Sequence, residues 1–414
     1  MYAADVARVE ALVREQEEWR SHCLNLIASE QVMSRRARAV MGSDFGHRYA
    51  EGHPGERYYQ GTDKIDAIES EVKHRLKALF GCLHTEVRPI SGTNANEAVF
   101  SRYIEPGDIV LVNSTSAGGH ISHQRAGSVG KYTKNVIPFP RTKDGYHIDV
   151  SRTRSLIKRI KPKLLVFGRS LFLFPEPVAE LYELAGKYGT RIVYDAAHVL
   201  GLIAGKQFQN PLAEGAHVVC ASTHKTFPGP QRGLILSNLD WEEWRIIDAG
   251  AFPGSSSNHH LDTLPPLLIT TYEMLAFGEA YARAVVANAK TLAAALDKRG
   301  FNVQAKEFGY TESHQVAVDV SRQGGGSFVS MRLRENDIII NMNLLPHEPL
   351  SKHDNPAGIR IGVQEMTRFG MGPQEMEQIA EFIKAVAIDG HTVLDEVHKF
   401  RRNFQKVHYS FDDK

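Results

Sequence analysis

Between residues 64 and 238 the chain alternates stretches of helical periodicity with short runs that are apolar on both faces. The runs DIVLVN, KLLVFG, TRIVYDA, AHVVCAS and GLILSN are too apolar for a sheet with one wet side. Helix-like stretches such as IDAIESEVKHRLKALFG and PVAELYELAGKYG lie among them. This pattern calls for a mainly parallel sheet covered on both faces, so a large α/β domain is expected. The rhythm breaks over 240–265, with FPGSSSNHH and LPPLL, and TTYEMLAFGEAYARAVVANAKTLAAALDKRG then reads as one long helix ending in Lys, Arg and Gly. Beyond it FNVQ, HQVAVDV and NDIIINMN read as strands, and PQEMEQIAEFIKAVA as the closing helix, of a smaller α+β unit. The expected division is a helical arm over 1–35, the large α/β domain over 36–265, a small C-terminal α+β domain over 266–390, and a tail over 391–414 with no evident partner. In the arm, Val6, Val9, Leu12 and Val13 share one side of a helix, a face suited to packing on another subunit.

Composition narrows the function classes. At 414 residues and 42% apolar content there is material for one large core and a satellite domain. The 49 basic and 48 acidic side chains nearly cancel, which removes the field that nucleic acid or an anionic membrane would require and points to a small-molecule ligand. Cys23, Cys82 and Cys220 are odd in number and lack metal-ligand spacing, so neither a disulfide framework nor a metal centre is expected. No stretch has the apolar core of a signal peptide or the length of a membrane span, and a cytoplasmic location is expected.

Chemistry concentrates at strand ends. Lys225 follows the apolar run AHVVCAS, placing its amine at the edge where open α/β sheets bind ligands. An amine attacks a carbonyl only when unprotonated, a state favoured by desolvation or cationic neighbours such as His224 and Arg232. A lysine paired to a carboxylate is the plain alternative. Asp195 ends the strand run RIVYDA and is costly to bury unless a positive charge answers it; a pyridinium nitrogen would do so, and a helix cap is the competing explanation. Ser91, Gly92 and Thr93 precede a helix-like run, as a phosphate cradle or an ordinary cap would. His120 could stack on an aromatic cofactor or be a polar loop residue, and Arg360 could fork onto a substrate carboxylate or join a structural ion pair.

Read in order, LIASE, HRYAEGHPGERYYQG, PISGTNAN, GGHISH, VYDAAHVLGLIAG, STHKTF, NMNLLP and GIRIGVQEMTR resemble the serine hydroxymethyltransferase family of fold-type I pyridoxal-phosphate enzymes, from about residue 24 to about 385, with wording closer to archaeal members. The resemblance implies that Lys225 carries pyridoxal 5'-phosphate as a Schiff base, that Asp195 pairs with the pyridine nitrogen, that His120 stacks on the ring and that His198 lies beside the ring hydroxyl. Ser91, Gly92 and Thr93 would hold the phosphate from one subunit, with Tyr49 and the loop at Gly254 reaching it from the partner of a homodimer, which could pair further into a tetramer. Ser170 joins the cofactor contacts, and Thr223 and His224 join Lys225 and Glu51 in the implied catalytic set. Ser29, Tyr59 and Arg360 would bind the amino acid. Glu51, Tyr58 and Asn343 would face a reduced pterin, tetrahydrofolate or tetrahydromethanopterin. The implied reaction is retro-aldol cleavage of serine, or of alpha-methylserine, with the one-carbon unit passed to the pterin and glycine or alanine left behind.

Three residues depart from the family wording and are expected to flank the site: Met342 where lysine is common, Arg232 where glycine is common, and Arg169 where a small residue is usual. Threonine aldolases and transaldolases that act without a pterin resemble the chain in a basic residue at PQRG and in the HYSFD tail, but the retained YAEG block favours pterin-linked transfer. A non-catalytic binding subunit would have no physical need for the set of Lys225, Asp195, His120 and Arg360.

Overall fold

The computed structural model describes residues 2–412. Its main sheet has seven strands: β1 (His84–Glu86), β2 (Ile109–Val112), β3 (Asn135–Pro138), β4 (Leu164–Phe167), β5 (Arg191–Asp195), β6 (Val218–Ser222) and β7 (Gly233–Ser237). They lie in the order β1-β7-β6-β5-β4-β2-β3. β7 is antiparallel to β1 and β6, and the other pairs are parallel. Every residue of β4, β6 and β7 is buried, which is why these runs read as continuous. β1 and β3 escape the sequence reading because HTE is short and polar and NVIP is a half-exposed edge.

Strand periodicity divides the core into two layers. Along β4, Leu165 and Phe167 join one apolar cluster while Leu164 and Val166 join the other. The first layer is covered by α2 (Asp63–Phe80) and by a long helix, α4 (Leu264–Lys298), which pack on each other; the second is covered by α3 (Gly92–Tyr103). α4 begins at Leu264 instead of Thr270, because the prolines of LPPLL fall in its first turn, where no N–H has a helical partner.

The smaller sheet is antiparallel, in the order β8 (Asn302–Val303), β9 (Gln315–Asp319), β11 (Gly358–Gly362), β10 (Asn341–Asn343). The run NDIIINMN does not form one strand. Ile338–Ile339 pairs in parallel with Leu24–Asn25, and Asn341–Asn343 joins the small sheet. The α5 helix (Pro373–Ala387) matches its expected span.

Both ends of the chain meet. The N-terminal helix α1 (Ala3–His22) buries none of its residues and leaves Val6, Val9, Leu12 and Val13 exposed, while Trp19 Nε1 anchors its end by donating to Asp337 Oδ1 at 2.7 Å. The tail does have partners, contrary to the sequence reading. It forms α6 (Leu394–Arg401); Arg401 is buried, donates to the Cys23 carbonyl at 3.0 Å and lies 4.1 Å from the Phe369 ring centroid. Farther on, His408 N donates to the Arg368 carbonyl, and the Asp412 carboxylate accepts from the N–H groups of Arg35 and Arg36. Among the described residues no helix is long and apolar enough to cross a membrane.

Candidate active site

Because β4, β5 and β6 run parallel, their C-terminal ends open on one edge of the sheet. The start of α3 faces that edge, and a cavity of about 140 Å³ between them is lined by Ser91, Gly92, Thr93, His120, Asp195 and Lys225. Ser170, His198 and His224 are also on its wall. Segments more than a hundred residues apart in sequence thus converge on one cavity.

Ser91 caps α3, its Oγ accepting from Asn94 N at 3.1 Å, and the first N–H groups of the helix lack helical acceptors. A Cβ on Gly92 would lie 2.4 Å from Ser222 Oγ, so the helix start approaches β6 closely enough that any larger residue would have to displace the Ser222 hydroxyl. Gly168 has a comparable role at the end of β4, where φ is +108° and a Cβ would lie 2.2 Å from the Asp195 carbonyl.

Asp195 is buried and fully engaged. Its Oδ2 accepts from Asn96 Nδ2 at 2.8 Å and His123 Nε2 at 2.9 Å, and its Oδ1 accepts from Ala197 N at 2.9 Å. Burial opposes its charge, but His123, His120 and Asn96 outweigh it and hold the carboxyl well below the usual carboxylate range. Lys225 Nζ lies 3.2 Å from Ser222 Oγ and, among the described residues, pairs with no carboxylate. Burial, seconded by Arg360 and opposed by Asp195, lowers the amine to about 8, within reach of the neutral form a nucleophile needs.

The histidines around the lysine are neutral. Burial brings His120 and His224 down to about 4, and pushes His198 well below its ordinary value with help from Lys225. His198 Nδ1 accepts from Gln315 Nε2 at 3.0 Å, and its ring stacks on His314 with centroids 5.8 Å apart. Arg360 on β11 is buried and donates through Nη1 to the Ser170 carbonyl at 2.6 Å and through Nε to Asn341 Oδ1 at 3.1 Å. Strand register puts Asn343 on the face shared by Asn341 and Arg360, and its Nδ2 donates to the Leu344 carbonyl.

Other expected residues fall outside this cavity. Ser29 lines a larger one of about 980 Å³ that shares His224 with the first. Thr223 is fully buried, with its hydroxyl donating to the Pro230 carbonyl at 2.6 Å, so it shapes the turn and does not face the cavity. Tyr49, Glu51, Tyr58, Tyr59 and Gly254 are also absent from the cavity wall. Glu51 accepts from Ser257 Oγ and, at 3.4 Å, from Tyr59 OH, while the rings of Tyr49 and Tyr59 lie 5.3 Å apart. The three tyrosines are exposed.

The departures resolve into local roles. Arg169 lines the cavity, but its charge is met by Glu176, at 2.7 Å from Nε, and its Nη1 donates to the Ala117 carbonyl. Arg232 does not flank the cavity. Its fully buried guanidinium clamps the Val87 and His260 carbonyls, Thr263 and His259, a packing role that no local motif announces. Met342 stands half-exposed on β10. Asn96, His123 and Gln315 are contacts the sequence reading passes over. Asn96 lies one helical turn after Gly92 and His123 three residues after His120, so spacing could have found both; Gln315 arrives from the small sheet with no local signal.

The chain matches the serine hydroxymethyltransferase profile over residues 2–383. It is 50% identical over 412 residues to the serine hydroxymethyltransferase of Thermococcus gammatolerans, covering 98% of this chain and 96% of the relative. The chain belongs to the serine hydroxymethyltransferase family. The enzyme of Pyrococcus furiosus is likewise 50% identical over 407 residues, covering 97% of this chain and 95% of the relative. Among solved structures, L-threonine transaldolase from Pseudomonas fluorescens in its internal aldimine state superposes with a TM-score of 0.90 at 27% identity, covering 99% of this chain and 94% of that one. Membership makes the chain a pyridoxal-phosphate-dependent transferase of fold type I. Its residues fit that cofactor: a helix start with free N–H groups for a phosphate, a buried carboxylate for a pyridinium, and an amine with no acidic partner among the described residues.

Proposed function

We propose that this family member interconverts serine and glycine, passing a one-carbon unit to or from tetrahydrofolate or tetrahydromethanopterin, with alpha-methylserine and alanine as an alternative pair. The observation that carries the reading is the Lys225 amine, lowered to about 8 and without a carboxylate partner, in the same cavity as Asp195 and the α3 start. Ser91, Gly92, Thr93, Asp195, His120, His198 and Ser170 would hold pyridoxal phosphate, which when bound supplies an electron sink for the substrate's alpha carbon. Asp195, ionised by its three donors, would pair with the cofactor's ring nitrogen and favour its protonated form. The neutral amine of Lys225 accepts and returns protons beside the cofactor. Arg360 grips the amino-acid carboxylate with Ser29 and Tyr59, exchanging the Ser170 carbonyl for a charged acceptor.

Glu51 manages the proton of the serine hydroxyl, while Tyr58 and Asn343 face the pterin. Since Tyr49, Glu51, Tyr58, Tyr59 and Gly254 lie off the wall of their own chain's cavity, they would serve the cavity of a second copy in a homodimer. A cytoplasmic location accompanies this role.

The threonine transaldolase likeness supports a second reading, pterin-independent cleavage or transfer on threonine, at lower identity. Incubating the holoenzyme with L-serine, alpha-methylserine and L-threonine, each with and without either pterin, separates the two. Pterin-dependent turnover of a serine is expected. Threonine cleavage indifferent to pterin, with neither serine consumed, refutes the proposal.

A further inference from the structure

Tyr281 is fully buried midway along α4, and its hydroxyl joins two segments far apart in sequence. It donates to the carbonyl of Thr226, the residue after Lys225, at 2.9 Å, and accepts from Nε2 of Gln31, two residues after Ser29, at 2.8 Å. Neither contact is slack. Thr226 is pinned through its own hydroxyl, which donates to the His198 carbonyl at 2.8 Å and accepts from Gly201 N at 3.0 Å. Gln31 is fixed at its other end, where Oε1 accepts from Val32 N at 2.9 Å, and it lines the larger cavity together with Ser29. The Tyr409 ring of the tail lies 5.6 Å from the Tyr281 ring and closes the remaining side.

We propose that Tyr281 is a positioning residue for the reaction: its hydroxyl couples the Lys225 turn to the Ser29 loop, so that engagement of an amino acid by the loop sets the placement of the lysine amine. This rests on the reading that the Ser29 loop receives the amino acid. Space-filling does not require the hydroxyl, since a phenylalanine ring has the same shape. What the hydroxyl adds is a direct link between the two segments, both of which it touches within 2.9 Å.

The test compares holoenzymes of wild type, Tyr281→Phe, Gln31→Leu and the double variant. Binding of L-serine and of L-threonine is measured without pterin, and visible circular dichroism reads the orientation of the bound cofactor. Tyr281→Phe removes both hydrogen bonds of the hydroxyl and is expected to weaken amino-acid binding about fivefold or more and to change the dichroism. Gln31→Leu should weaken binding similarly while leaving the dichroism of the amino-acid-free enzyme unchanged, and the double variant should bind no worse than Tyr281→Phe alone. Wild-type binding and dichroism in Tyr281→Phe, with only a lower melting temperature, overturns the proposal, as do fully additive losses. Should Tyr281→Phe not fold, wild-type binding by Gln31→Leu overturns it. A wild type that binds either amino acid but shows no pterin-dependent turnover refutes the proposed function and still reads Tyr281.

Discussion

Lys225 is governed by its burial and by two charged neighbours that pull in different directions. Burial and Arg360 depress its amine, and Asp195 supports its charge. If the apoprotein captures pyridoxal phosphate through the neutral amine, the capture rate rises with pH and levels off above about 8. Arg360→Met removes a depressing charge and should move that midpoint up; Asp195→Asn removes a supporting charge and should move it down. Stopped-flow absorbance over a pH series checks both signs, and midpoints that move together would contradict this electrostatic account. The linkage to stability follows from the same shift. The unfolded amine, near 10.5, binds its proton more tightly than the folded one, so the unfavourable contribution of Lys225 to folding is full below about 8 and fades as pH rises toward 10.5.

Among the elements, the α3 start and the C-terminal helix make separable predictions. Gly92→Ala places a methyl 2.4 Å from Ser222 Oγ, which must shift at the proposed phosphate cradle, so cofactor affinity should drop by roughly tenfold. Ser222→Ala in the same chain removes the obstructing atom and should recover part of the loss, measured by equilibrium titration of the apoprotein. In α6, Arg401→Met leaves the Cys23 carbonyl without its donor and should lower the melting temperature by a few degrees while the Lys225 capture midpoint stays in place. The elements were unevenly legible. Buried parallel strands announce themselves because both faces must be apolar, which the edge strands β1 and β3 never need to be. NDIIINMN gave no sign of its split, because one half pairs with Leu24–Asn25, more than three hundred residues earlier.

At the scale of the whole molecule, the Glu51 cluster and the Lys225 cavity are separate surfaces of one chain. In a homodimer that shares its sites, Lys225→Ala and Glu51→Gln chains are each inactive alone. Refolded together in equal amounts they should regain up to about a quarter of wild-type turnover, because half the dimers are mixed and each mixed dimer holds one intact site. No recovery would place Glu51 in its own chain's site. The exposed stripe of Val6, Val9, Leu12 and Val13 belongs to the same question. Val9→Asp with Val13→Asp should shift the sedimentation coefficient toward that of a monomer if another copy covers α1.

Local sequence sufficed for the sheet's buried strands, the long helix and the candidate groups near Lys225, because burial on both faces, helical periodicity and a run of ordered motifs are all local properties of the chain. Asp195, the Ser91–Thr93 start of α3 and Lys225 could be named from such runs alone. Only the tertiary structure decided how those groups are answered: that Asp195 takes three donors, that Arg169 is neutralised by Glu176, that Arg232 clamps a turn instead of the cavity, and that Gln315 crosses from the small sheet to His198. Spacing could single out Asn96 and His123 as candidates, but local sequence does not say which group a side chain answers, so packing alone could assign the partners.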